Sequence, residues 1–184
     1  MWMRLNYSGS KSPPQPPYLS SWQDTPFRSI LLDFISRVTN PALDSYVPRD
    51  QRVACFDNDG TVWIETPMLN QVAFLLWFVK RFPDPGQVLQ NQLAGYLDGT
   101  TRGDPMSAVL SGLSVDMYND FIRIWLEETR HPTFGRPYTD LVYAPMVDLI
   151  NLMQAACFNV FIVSGGENLF MRALIPKVYG VPTQ

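Results

Sequence analysis

The fold is decided by the stretch Val53-Ala54-Cys55-Phe56-Asp57-Asn58-Asp59-Gly60-Thr61, in which an apolar run leads directly into an acidic turn. A short apolar run with polar residues on both sides is typical of a buried strand in a parallel sheet. The pattern therefore predicts a strand over 53–56 and two carboxylates where it ends. Ligands of α/β sheets bind beyond the carboxyl ends of the strands, so Asp57 and Asp59 are candidate site residues.

A second apolar run ends in a glycine-rich turn, because Val160-Phe161-Ile162-Val163 is followed at once by Ser164-Gly165-Gly166. This pattern predicts a second buried strand and then a helix that ends before Pro176. The free N–H groups at a helix start, together with the Ser164 hydroxyl, favour phosphate binding. Either turn taken alone is more typical of an ordinary connection, but two such turns after two buried strands favour a shared site.

The remaining sequence is mostly helical in pattern. Apolar residues recur at helical spacing from Pro26 to about Asn40, from Val72 to Val79, behind a cap at Ser114, and from Pro145 to Cys157. Helices between two buried strands predict an α/β domain with a parallel sheet and right-handed crossovers. We expect a Pro-rich flexible tail over 1–22, a core over 23–66 and 135–184, and a helical insertion over 67–134.

Composition narrows the classes of function. The 184 residues are 46% hydrophobic and carry a formal charge of −3, so the chain is too apolar for disorder and has no net attraction to phosphates of nucleic acid. We expect no nucleic-acid partner, no membrane partner and a cytoplasmic protein. Cys55 and Cys157 lie among apolar residues and are expected to be reduced core residues.

The acidic pair suits chemistry on phosphorus. A carboxylate at a strand end can act as a nucleophile when a hard cation neutralises the phosphoryl oxygens, which points to Asp57. A second carboxylate two residues later can exchange a proton with the leaving group, which points to Asp59.

The motifs together resemble a known family. VACFDNDGTVW resembles the first motif of the haloacid dehalogenase-like (HAD-like) hydrolases, and VFIVSGG resembles the second. Two longer stretches, RHPTFGRPYTDLVYAPM over 130–146 and FIVSGGENLFMR over 161–172, are similar to a phosphoserine-phosphatase-like branch of that superfamily. The resemblance runs from about Trp22 to the last residue and implies a Rossmann-like parallel sheet with a helical cap inserted after the first strand.

The resemblance also implies an activity and a set of residues. A Mg²⁺-dependent phosphatase of this kind would use Asp57 as nucleophile and metal ligand, and Asp59 as general acid and base with its carbonyl on the metal. Ser164 and the amide of Gly165 would hold the phosphoryl group of a small phosphorylated metabolite. Glu65, where the chain enters the cap, would meet the substrate. A dehalogenase acting on carbon does not need Asp59, so a phosphatase is preferred.

Part of the family pattern is missing. Beyond Ser164 the chain has no aspartate, whereas the family places a lysine and further metal-binding aspartates downstream. Only two of at least five core strands are clear, so we expect a truncated hydrolase that binds Mg²⁺ weakly and is weakly active or inactive. The alternative is a non-catalytic module or a gene fragment, and an unpaired sheet edge would allow self-association.

Overall fold

The computed structural model describes residues 2–5, 19–82, 94–95, 98–99 and 113–179. Within these ranges the chain is mixed α/β and forms three strands and five α-helices. The strands are β1 (Trp2–Leu5), β2 (Val53–Asp57) and β3 (Asn159–Val163). The helices are α1 (Pro26–Thr39), α2 (Asn70–Arg81), α3 (Val115–Glu128), α4 (Ala144–Ala155) and α5 (Asn168–Tyr179).

The sheet has the order β1-β3-β2. β2 and β3 run parallel, with Val53 opposite Asn159 and Asp57 opposite Val163, which confirms the predicted parallel pairing. β1 pairs antiparallel with β3, from Trp2 opposite Val163 to Leu5 opposite Val160. This strand lies inside the segment for which the sequence predicts a flexible tail, and residues 6–18 of that segment lie outside the described part of the chain.

The two parallel strands are buried to different extents. In β3 the side chains of Val160 and Ile162 are buried, as a core strand requires. In β2 only Phe56 is buried, and Val53 and Cys55 are exposed, so the prediction of a fully buried strand is wrong. Successive strand side chains point to opposite faces, so Val53 and Cys55 lie together on a solvent-exposed face of β2.

The cysteine prediction is also wrong, because both thiols are exposed rather than buried in the core. Cys55 lies on the open face of β2. Cys157 lies in the turn after α4, where its backbone has a positive φ of 60°. The apolar residues near Cys157 in the sequence belong to α4 and β3, whereas Cys157 itself lies in the turn between these two elements and is exposed to solvent.

The helices follow the predicted pattern with one correction. Proline occupies the first turn of α1 and of α4, and the Ser114 hydroxyl accepts a hydrogen bond from the Met117 N–H at the start of α3, as a cap does. The prediction that Pro176 ends the last helix is wrong, since α5 continues to Tyr179. Burial of Leu174, Ile175 and Tyr179 offsets the hydrogen bond that a proline cannot donate. Within the described residues, no helix is long and apolar enough to cross a membrane.

Contacts between residues divide the chain into two compact units. The first unit comprises residues 1–64, 142–164 and 179–184, and the second comprises 65–141 and 165–178. The boundaries of core and cap expected from the sequence stay a prediction.

The second unit has an aromatic core centred on Phe74 of α2, which has no exposed surface. Its ring lies 5.5 to 6.2 Å, centroid to centroid, from five other rings. These belong to Trp77, Phe78, Tyr118, Trp125 and Phe170. Rings at such separations gain from edge-to-face and tilted contacts in addition to their burial.

In the first unit, a carboxylate joins the segment before α1 to α4. Asp148 accepts hydrogen bonds from the Ser21 N–H at 2.9 Å, the Ser21 hydroxyl at 2.6 Å and the Ser20 hydroxyl at 3.4 Å. Desolvation acts to raise the pKa of Asp148, but the hydrogen bonds from Ser21 and Ser20 outweigh it and lower the pKa. The ionised form is therefore the one that stabilises the fold.

Replacing Phe74 should test the aromatic core. We expect Phe74→Ala to lower the free energy of unfolding by about 3–5 kcal/mol, because a fully buried ring is removed and a cavity remains. Leu76→Ala is the matched control on the same helix, since Leu76 is 40% exposed, and should cost less than about 1 kcal/mol. Equal losses in urea unfolding would contradict the described core.

Replacing Asp148 should change how stability depends on pH. A carboxylate with a lowered pKa in the folded state stabilises the protein above its unfolded pKa, and this contribution is lost as the pH falls through the folded value. We expect Asp148→Asn to cost about 1 kcal/mol at pH 7. The difference from the wild type should shrink as the pH falls below about 4. The control is Asp44→Asn, because Asp44 is exposed; a pH-independent difference would argue against the role of Asp148.

Candidate active site

The carboxyl ends of β2 and β3 bring two of the predicted site residues together. Asp57 is the last residue of β2 and lies opposite Val163, the last residue of β3. Ser164 follows Val163 directly and is buried. Asp57 and Ser164 therefore end neighbouring parallel strands at the same edge of the sheet, within the first unit.

The acidic turn is closed by backbone hydrogen bonds. The carbonyl of Asn58 accepts from the N–H groups of Thr61, Val62 and Trp63 at 2.9 to 3.2 Å, and the Gly60 N–H donates to the Trp63 carbonyl at 2.7 Å. Gly60 has a φ of 69°, a left-handed conformation that glycine adopts without steric cost. The glycine after the second aspartate thus allows the tight turn that the sequence predicts.

A hydrogen bond between two buried side chains, those of Asn58 and Tyr179, supports this turn. Asn58 is 1% exposed, and its Oδ1 accepts a hydrogen bond from the hydroxyl of Tyr179. Burial, together with the negative charge of Asp59, raises the pKa of Tyr179, so the hydroxyl keeps the proton that it donates. Sequence reasoning missed both residues, because 121 positions separate them and no local pattern links them.

A second anchor holds the end of the turn. Trp63 is fully buried and forms a bridge with Val142, while the Tyr143 N–H donates to the Val62 carbonyl at 2.9 Å. The turn is thereby fixed to the segment that leads into α4.

The two carboxylates are oriented by the residue between them. The Asn58 N–H donates to Asp57 Oδ1 at 2.8 Å, and the Asn58 side-chain amide lies 3.4 Å from Asp59 Oδ1. Asp57 is exposed and Asp59 is half-buried. An accessible carboxylate beside a second one in a fixed turn suits a nucleophile with a neighbouring acid and base.

The start of α5 differs from the expected anion site. The carboxylate of Glu167 accepts from the N–H groups of Leu169 and Phe170 at 2.8 Å each, and the Glu167 N–H donates to Gln71 Oε1 at 3.2 Å. A capping carboxylate occupies these donors, so they are not available to phosphate, contrary to the expectation from the glycine-rich turn. The sequence contains only a weak signal, since an acidic residue near a helix start interacts favourably with the helix N–H groups, but Glu is not one of the usual cap residues.

The other predicted substrate-binding residues belong to the second unit. Glu65 and Gly165 are both exposed, and both stand at the first position of a segment of that unit. Their proposed contacts with substrate stay predictions.

The donor atoms of the acidic turn fit a hard cation only in part. Carboxylate and carbonyl oxygens are the ligands that Mg²⁺ prefers, and Asp57 and Asp59 supply them. The described residues contain no group of three acidic, histidine or cysteine side chains that could hold a metal ion. An ion held here would keep most of its water shell, so weak binding is expected.

Replacing Gly60 should test the turn. We expect Gly60→Ala to cost about 1–2 kcal/mol, because a Cβ disfavours a positive φ. Gly165→Ala is the control, because a Cβ at Gly165 would meet no atom within 4 Å, and it should change the unfolding free energy by less than about 0.5 kcal/mol. Equal stability of the two variants in urea unfolding would contradict a requirement for glycine at position 60.

The chain matches no protein-family model and no curated protein.

Proposed function

We propose that the chain is a HAD-like phosphatase domain that hydrolyses small phosphomonoesters through a phosphoaspartyl intermediate on Asp57. The observation that carries this proposal is the register of the parallel strands, in which Asp57 lies opposite Val163 and next to the strand that ends at Ser164. A nucleophile and a hydroxyl donor at one edge of a sheet have a common space in which a phosphoryl group can be held.

In the first step, a carboxylate oxygen of Asp57 attacks phosphorus and the bond from phosphorus to the leaving oxygen breaks. The hydrogen bond from the Asn58 N–H to Asp57 Oδ1 orients the carboxylate, which leaves Oδ2 for the attack. Asp59 in its protonated form gives its proton to the leaving oxygen. The Ser164 hydroxyl donates to an equatorial phosphoryl oxygen as negative charge develops there.

In the second step, water hydrolyses the acyl phosphate. Asp59, now ionised, takes a proton from the water as the water attacks phosphorus, and the bond from phosphorus to Asp57 breaks. Asp57 is restored as a carboxylate and inorganic phosphate leaves. One residue thus serves first as acid and then as base, which its position beside the nucleophile allows.

Mg²⁺ is the cofactor that this chemistry requires. The carboxylate of Asp57 and the backbone carbonyl of Asp59 would hold the ion, which neutralises phosphoryl charge so that two anions can approach. Since these two residues provide few ligands, we expect slow turnover that needs high Mg²⁺ concentrations. The alternative is a non-catalytic module with the same fold. The following test distinguishes such a module from a phosphatase.

A phosphoryl mimic tests the site directly. In the presence of Mg²⁺, beryllium fluoride should raise the Tm of the wild-type chain by at least about 2 °C, because a ligand that binds only the folded state stabilises it. Asp57→Asn should abolish this shift, and Asp44→Asn, an exposed carboxylate of the same unit, should keep it. No shift in the wild type, or an equal shift in Asp57→Asn, would refute the proposal.

Hydrolysis of p-nitrophenyl phosphate tests the two acidic roles. Asp57→Asn should lower the Mg²⁺-dependent rate by at least about tenfold, since the nucleophile is lost. Asp59→Asn should also lower the rate by at least about tenfold, because it removes the base that activates water in the second step and such proton transfer is typically worth about 10²–10⁴-fold, yet it should keep the beryllium fluoride shift. A fully active Asp59→Asn variant would exclude the acid and base role.

A further inference from the structure

The opposite end of the parallel strands contains a cavity of about 330 Å³ that opens to solvent. Arg52 directly precedes β2, and Cys157 lies two positions before β3, so the cavity lies at the amino ends of these strands. Asp57 and Ser164 lie at the carboxyl ends. The cavity belongs entirely to the first unit, and its wall includes Thr39, Tyr46, Arg49, Arg52, Ala156 and Cys157.

Arg52 is a buried cation in this wall, with 5% of its surface exposed. Its Nε donates to the Val47 carbonyl and its Nη1 to the Ala156 carbonyl, both at 2.8 Å, and the guanidinium lies 5.5 Å from the centre of the Tyr46 ring. In the part of the chain that the structure describes, Nη2 has no hydrogen-bond partner and no carboxylate forms an ion pair with Arg52.

The positive charge is only partly balanced. The carbonyl of Ala156 belongs to the carboxyl end of α4, and a helix end carries roughly half a negative charge. Arg49 adds a second guanidinium to the wall and likewise forms no ion pair with any described residue. Asp50, beside it in sequence, is not part of the wall. Nη2 of Arg52 is not a buried atom and can be reached from the cavity, so two guanidinium groups with little compensating negative charge favour an anion there.

We propose that this cavity is a binding site for a small oxyanion, a carboxylate or phosphate group held by Arg52 and Arg49. A guanidinium offers paired N–H donors that match the oxygens of either group. The volume lies at the lower end of the range of roughly 300–1,000 Å³ found for small-molecule sites. Tyr46 and Pro41 provide an aromatic and an apolar wall for the body of the ligand. This site is separate from the phosphatase site and does not depend on the function proposed there.

Cys157 can report on the electrostatic potential of the cavity, because Cys157 is exposed and lines the cavity. In a Cys55→Ser background, the Cys157 thiol is modified either by the dianionic reagent 5,5′-dithiobis(2-nitrobenzoate) or by neutral 4,4′-dithiodipyridine. The rate with the dianionic reagent divided by the rate with the neutral reagent measures the electrostatic potential at Cys157. We expect Arg49→Gln to lower this ratio by about threefold or more, since one nearby positive charge is lost. Arg37→Gln, an exposed arginine of the same unit, should leave the ratio unchanged.

Competition tests binding itself. Sodium phosphate or sodium succinate should slow modification of Cys157 by the dianionic reagent in a saturable way, beyond the effect of sodium chloride at equal ionic strength, and Arg49→Gln should weaken this protection. Protection by succinate alone or phosphate alone would identify which oxyanion binds. The protection should persist in Asp57→Asn, which separates it from phosphate at the proposed active site. Any one of three results would overturn the proposal: phosphate and succinate slow the modification of Cys157 no more than sodium chloride does, Arg49→Gln leaves the rate ratio unchanged, or Asp57→Asn loses the protection.

Discussion

Five residue pairs join β2 to β3 in parallel, and this pairing fixes where the polar residues at both ends of these strands lie. At the carboxyl ends it brings Asp57 beside the strand that leads to Ser164. At the amino ends it brings Arg52 near the turn that carries Cys157, and the Asn159 N–H donates to the Arg52 carbonyl at 2.8 Å. Two strands of five residues thus separate an acidic turn from a cavity with two arginines.

Most elements of the fold were predictable from local patterns. Proline in the first turn, a serine cap and apolar residues at helical spacing indicated the helices, and two apolar runs indicated the parallel strands. Three predictions failed because tertiary context decides them: the buried β2 strand, the buried cysteines and the helix end before Pro176. The end of the helix before Pro176 was expected from backbone chemistry alone, yet α5 continues to Tyr179 with buried neighbours on either side of the proline. The exposure of Cys55 depends on which face of β2 is covered, and an apolar run contains no such information.

The positions of Asp57 and Ser164 at the ends of neighbouring strands were predictable from the sequence, but the contacts that hold the acidic turn were not. The acidic turn after a strand and the serine after another are local signals. The contact between Asn58 and Tyr179 is not, because it joins residues 121 positions apart. The cap at Glu167 was also not predicted. A glycine-rich turn before a helix leaves the helix N–H groups free only when no neighbouring side chain accepts hydrogen bonds from them, and here Glu167 does. The arginine cavity combines residues from two separated segments, 39–52 and 155–157, and neither segment indicates a site in isolation.

The central claim is that Asp57 becomes covalently phosphorylated, and trapping that intermediate tests it most directly. The chain, incubated with Mg²⁺ and a small acyl phosphate such as acetyl phosphate, is quenched in acid and treated with borohydride, which reduces an aspartyl phosphate to homoserine. Peptide mass spectrometry should find homoserine at position 57 and an unchanged residue at 59. Absence of homoserine at 57, or its appearance at another aspartate instead, would contradict the account.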